Sequence, residues 1–148
     1  MAAAWGDYPD TVLRFPPSDL RIDLRLPLSR SALQRLADLG LQRPFAVITA
    51  CNPLGRRLEP AGNRRLAAVL TQLVHDRYPG AHEAHGISPD ESHREPGWAL
   101  PIGQLEAERL AAQFLQNALF WFDGARFLIL PVLAPGEPLP LPAARDAR

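Results

Sequence analysis

Lysine is absent from this 148-residue chain, whose sixteen basic residues are all arginine. GC-rich coding explains such a bias as readily as selection for guanidinium chemistry, so arginine by itself is no phosphate code here. There is one cysteine, Cys51, which excludes an intrachain disulfide and fits a reducing compartment. An excess of one charge is also missing. Sixteen basic and sixteen acidic side chains cancel to a formal net charge of +0 and a pI near 6.9. That balance gives no long-range attraction to nucleic acid or anionic lipid, so nucleic acid is not an expected partner. No stretch reaches the about eighteen consecutive apolar residues that a bilayer span needs. Residues 1–10 lack the basic start and apolar run of a secretory signal, so the expected setting is soluble and cytoplasmic.

What is present suits a globular domain: 47% of residues are hydrophobic and 22% charged. The length predicts one domain with a real core. Residues 1–10 read as a flexible lead-in, 11–131 as the domain, and 132–148, rich in proline, alanine and charge, as a disordered tail. Thr11–Phe15 reads as a short strand stopped by Pro16-Pro17. From Asp19 to Leu26 the chain alternates, with Leu20, Ile22, Leu24 and Leu26 opposite Arg21, Asp23 and Arg25, as in a half-buried strand. Ser29 or Ser31 can cap a short helix carrying Leu33, Leu36 and Leu39, which Gly40 ends.

Phe45–Ala50 is apolar on both faces and belongs inside a sheet. Asn52-Pro53 and Gly55 break it. Leu66, Val69, Leu70, Leu73 and Val74 then mark a helix from about Pro60 to His75. Short strands are expected around Ala81–Gly86 and Trp98–Ile102, with a polar segment between them, and a helix from Gln104 to about Phe114. Asp123-Gly124 joins the β-rich runs Ala118–Phe122 and Arg126–Leu130, a strong hairpin signal because both residues tolerate positive φ. The expected fold is therefore a single α/β domain: a mixed sheet of about five strands, about three helices and a C-terminal hairpin.

Candidate site residues stand where these elements end. The Asn52 amide offers two donors and an acceptor, for a ligand or for the backbone of its own turn. Asn63 either faces that loop from the first turn of the next helix or caps the helix. Glu95, beside Pro96, is the sharpest acid–base candidate, with a surface ion pair to arginine as the other reading. Gln116 and Asn117 lie at a helix-to-strand junction, where they bind substrate or tie the Asn52 turn to a second loop. Arg56, Arg57, Arg64 and Arg65 flank a helix start that could attract an anion. His82-x-x-His85 matches no strong zinc signature, so no metal is expected. Cys51 reads as a small buried residue before it reads as a nucleophile. Neither a P-loop nor a dinucleotide fingerprint is present, so no cofactor is indicated.

Ile48-Thr49-Ala50-Cys51-Asn52-Pro53, the downstream Asn63, Glu95-Pro96 and Gln116-Asn117-Ala118 together resemble an uncharacterised bacterial family, domain of unknown function 3293. The resemblance runs roughly from Tyr8 to Leu130 and implies the fold and the site more than an activity. Cys51 replaces a frequent aromatic residue of that pattern, and Leu115 replaces a frequent glycine. The expected function is binding of a small molecule, with a nucleotide-like metabolite as one candidate, or regulation through such binding. The alternatives are a hydrolase or transferase on a polar or phosphorylated small molecule, with Glu95 as acid or base, and a protein-interaction module using the edge of the hairpin.

Overall fold

A computed structural model describes residues 7–143, and all its strand pairs are antiparallel. The smaller sheet takes β1 (Val12–Arg14), β2 (Arg21–Asp23), β5 (His85–Ile87) and β6 (Arg94–Glu95) in the order β2-β1-β5-β6. The larger takes β3 (Phe45–Thr49), β4 (His82–Glu83), β7 (Gly97–Leu100), β8 (Ala118–Phe122), β9 (Phe127–Pro131) and β10 (Leu139–Pro140) in the order β10-β9-β8-β3-β7-β4. Three α-helices accompany them: α1 (Arg30–Asp38), α2 (Pro60–Arg77) and α3 (Gln104–Gln113).

The two sheets share one folded-over hairpin. Only Ala84 separates β4 from β5, and only Pro96 separates β6 from β7, so the chain changes sheet at these two residues. Proline suits such a corner because it has no ladder N–H to leave unpaired. Gly97 is needed beside it. A Cβ there would lie 2.5 Å from the Ile48 carbonyl oxygen and 3.2 Å from that of Ala84.

β3 sits inside the larger sheet between β7 and β8, and its side chains alternate between two cores. Phe45 and Val47 join Leu13, Phe15, Ile22, Leu36, Phe120 and Phe122, in the core under the smaller sheet and α1. Ala46 and Ile48 join Leu70, Val74, Leu100, Leu110 and Leu119, beneath α2 and α3. Each face of the strand is covered, which is why the run contains no polar residue before Thr49. Trp121 likewise packs against the second core while Phe120 and Phe122 lie in the first.

The three helices and the C-terminal hairpin match the expected α/β class; the strands are more numerous than about five and lie in two sheets instead of one mixed sheet. The extra strands are two or three residues long, too short to display a period. Among the described residues, no helix is long and apolar enough to cross a membrane. Of the expected lead-in and tail, residues 1–6 and 144–148 lie outside the described residues. Within the described part, Tyr8–Asp10 form a 3-10 turn, with Tyr8 packed against the first core. β10 pairs with Leu128 and Ile129 of β9, and Leu141 is buried.

Candidate functional site

Just beyond β3 the backbone turns through two left-handed residues other than glycine. Asn52 has φ 50° and Leu54 has φ 57°. Asparagine tolerates this conformation better than most residues; leucine does not. The turn is held by partners distant in sequence. The Asn52 backbone N–H donates to Asn63 Oδ1 at 2.8 Å, and Asn63 Nδ2 donates back to Asn52 Oδ1 at 2.9 Å. The same Asn52 Oδ1 accepts from the Leu58 N–H at 3.0 Å. Asn52 Nδ2 then reaches across to Glu95 Oε2 at 2.8 Å. Thus the Asn52 amide uses both ends to tie the β3 turn, the α2 entry and β6 together. Asn63 does not cap α2, since Glu59 holds the N-cap position and Asn63 sits in the first turn.

Glu95 is partnered by histidine and asparagine, and among the described residues no arginine forms an ion pair with it. His93 Nε2 lies 2.9 Å from the same Oε2 that Asn52 holds. An ionised carboxylate can only accept, so His93 Nε2 carries the proton in that contact. Oε1 has no hydrogen bond to any described residue. Just behind, the Thr49 hydroxyl donates to the Pro96 carbonyl at 2.8 Å and accepts from the Cys51 N–H at 3.1 Å.

Gln116 and Asn117 divide their roles. Gln116 is buried, and its Nε2 donates to the carbonyls of Cys51 and Phe114, both at 3.1 Å. It fastens the end of α3 to the strand leading into Asn52. The Asn117 backbone carbonyl accepts from Val132 and Ala134, and the residue lines open space, with its Nδ2 close beside Gly55. Leu115 explains the glycine in the resembling pattern. It lies just past α3 with φ 56°, and the helix closes there with Leu115 N–H on the Ala112 carbonyl and Gln116 N–H on that of Ala111. That pair of bonds is a Schellman closure, which favours glycine at the left-handed position. Its carbonyl also accepts from Leu54 N–H, coupling the two strained turns.

These loops border a cleft of about 910 Å³ between the sheets. Asn52, Glu95 and Asn117 line it; Asn63 and Gln116 support it from behind. Leu13, Val47, Ala84, Ala118 and Phe120 supply apolar wall. Tyr8 also lines the cleft, its ring 5.5 Å from that of Phe120. Burial, with the Glu95 charge adding to it, pushes the Tyr8 phenol up to about 12, so it stays protonated and able to donate at neutral pH. The Cys51 thiol is pushed up by burial, against a lowering hydrogen bond from Thr49 and with the Glu95 charge raising it further. That is the reverse of an activated thiolate.

Sequence reasoning passed over Tyr8 and Gly97, gave Thr49 no role within its motif, and weighed His93 as a loop histidine, a metal ligand or a partner of Cys51 but not as a partner of Glu95. Only Gly97 carried a signal, a glycine between proline and a strand. The other histidines are engaged separately: His85 bonds Glu83 and accepts from Arg94, His82 meets the Glu83 carbonyl, and His75 packs edge-on against Trp98. Among the described residues, no group of three or more His, Cys, Asp or Glu is placed to hold a metal ion.

Fold and site together define an α/β domain with a polar cleft between two antiparallel sheets. The model of a family described as "Protein of unknown function (DUF3293)" matches residues 48–119. The chain resembles that family over the segment running from Ile48 to Leu119, which contains Asn52, Asn63, Glu95, Gln116 and Asn117. No curated protein and no solved structure matches the chain.

Proposed function

We propose that this protein binds a small polar molecule in the cleft between its sheets, with Glu95 as the principal contact. The observation that carries this reading is the half-engaged carboxylate. Oε2 is fixed by Asn52 and His93, while Oε1 has no bond to a described residue on a side chain that lines about 910 Å³ of space. Fixing one oxygen lowers the ordering cost of using the other, which is what a preorganised binding group requires. The left-handed conformation of Asn52, which lines the cleft, and of Leu54 two residues on supports the reading, because such strain collects at ligand sites.

Catalysis is the second reading. A carboxylate oriented by two donors can serve as a general base, and the protonated Tyr8 phenol beside it can donate to a developing charge. A hydrolase or transferase would use the pair in this way. The interaction-module reading loses part of its surface, because β10 pairs with the middle of the hairpin's outer strand.

A metabolite thermal-shift screen on the wild type and Glu95→Gln tests the proposal. A ligand present at about a hundredfold its Kd stabilises the folded state by about 2.7 kcal/mol, a rise of several degrees in Tm. The expected outcome is a ligand that raises Tm in the wild type and much less in the variant. Equal shifts in both proteins would remove Glu95 from the site. Turnover of the ligand would separate the catalytic reading from binding alone.

A further inference from the structure

The charges around the cleft go beyond that proposal, on which this inference rests, and define the ligand's sign. Its lining carries the carboxylates of Asp7, Asp90 and Glu95 against the guanidinium of Arg57, with Asp10 and Arg25, each already engaged, also in the lining. Arg25 is already committed: Nε and Nη2 make a two-pronged contact with Asp23, at 3.0 and 2.8 Å. His93 is engaged with Glu95. Asp90 accepts from the Ser92 N–H and from the Ser88 and Ser92 hydroxyls, which hold its carboxyl down to about 2, so it is charged at any physiological pH. Among the described residues that line the cleft the remaining formal charge is negative, although the chain as a whole is neutral.

A negative cleft repels phosphate and carboxylate ligands and draws in cations. This disfavours the nucleotide-like ligand expected from sequence. Near Glu95 the walls change character. Leu13, Val47, Ala84, Ala118 and Phe120 make an apolar side, and Tyr8 adds an aromatic ring and a hydroxyl with no hydrogen bond to a described residue. We infer that the cleft takes an amine-bearing small molecule, its ammonium on Glu95 Oε1 and its hydrocarbon or aromatic body against Tyr8, Phe120 and the neighbouring apolar wall. An ammonium donates a charge-assisted hydrogen bond to the open oxygen, and an aromatic face nearby adds a further attraction for the cation. The Asn117 carboxamide, also without a side-chain bond to a described residue, is placed for any second polar group on the ligand.

Three probes of one shape decide the matter: phenethylamine, 2-phenylethanol and phenylacetate, titrated into isotopically labelled wild-type protein and followed by amide NMR shifts. The expected result is saturable shifts at Glu95, Gly97 and Asn117 with phenethylamine, about tenfold or more tighter than with the alcohol, and none with the acid. Glu95→Gln, checked for a native spectrum, should bring the amine down to the level of the alcohol. If the variant does not fold, the wild-type comparison of amine and alcohol decides alone. Binding of the alcohol or the acid in the same cleft, as tight as the amine or tighter, would overturn the ammonium assignment and leave the binding site standing. Shifts from no probe at the cleft residues would overturn both.

Discussion

The turn after β8 and the turn after β3 each redirect the chain at the end of a five-residue strand, but they draw on different partners. After β8, Asp123 Oδ1 accepts from the N–H groups of Ala125 and Arg126 at 2.8 and 2.9 Å, and Gly124 takes the positive φ of 105°. Everything that hairpin needs lies within three residues. After β3, Asn52 is held by Asn63, eleven residues away, and by Glu95, forty-three away. Its left-handed neighbour is a leucine, not a glycine. A turn satisfied locally is a connection. One that gathers distant polar groups and tolerates strain is the kind that positions a site.

The comparison breaks most sharply at Gly97. Alanine there would drive a Cβ into the Ile48 carbonyl, so β7 must shift away from β3 just below the Asn52 turn. Gly97→Ala is expected to cost about 3 kcal/mol in urea unfolding. Gly124→Ala provides the contrast, since a Cβ there meets nothing within 4 Å and only the backbone strain remains. Equal losses at the two glycines would mean that the close approach at Gly97 relaxes freely.

Next come the turn residues themselves. Asn52→Ala removes two acceptor contacts and one donor contact, and places alanine at positive φ, so a loss of about 2–3 kcal/mol is expected. Asp123→Ala removes two local bonds at an exposed tip, for about 1 kcal/mol. Denaturant midpoints at constant m measure both. A hairpin variant as damaging as the Asn52 variant would erase the distinction between the turns.

Leu115 sharpens the comparison in the opposite direction. Its side chain is 46% exposed, so little burial is lost on truncation, while its φ of 56° favours glycine. Leu115→Gly should gain about 1 kcal/mol from relief of the left-handed strain, partly offset by the greater freedom of the unfolded chain. A Tm that falls instead would show the leucine side chain contributing through contacts.

The smallest effect is on pH dependence. Tyr8 has its phenol raised from 10.0 to about 12 in the folded state, so its contribution is whole below pH 10 and is lost as pH rises toward 12. An ultraviolet phenolate titration of wild type and Tyr8→Phe reads this directly. The step near 12 should vanish in the variant, and a Tyr8 that ionises near 10 would place it outside the buried, Glu95-facing position.

Legibility in the sequence followed the range of the interactions. The two-faced burial of Phe45–Thr49, the α2 stripe through Leu66, Leu70 and Val74, and the Asp123-Gly124 hairpin all depend on neighbours within one turn or one strand, and each was readable. The short strand expected around Ala81–Gly86 is β4 and β5, parted between two sheets at Ala84, whereas β6 and β10, of two residues each, have no period to read and exist because the other sheet strands offer them partners. Of the site, Asn52, Asn63, Glu95, Gln116 and Asn117 were visible as polar residues at element ends. Their division into cleft wall and support was not, and Tyr8, in a segment that reads as a loose lead-in, gave no warning of its place on the cleft.

The sequence by itself determined the α/β class, the central position of the Phe45–Thr49 strand and the neutrality of the chain, because hydrophobic period, turn chemistry and net charge are properties of local or summed composition. Tertiary structure alone decided that the strands part into two sheets at Ala84 and Pro96, that one oxygen of Glu95 is bonded and the other has no partner among the described residues, and that Asp7, Asp90 and Glu95 line one cleft. Those outcomes depend on which distant side chains meet. A hydrogen bond spanning forty-three residues leaves no periodic trace in the chain that forms it.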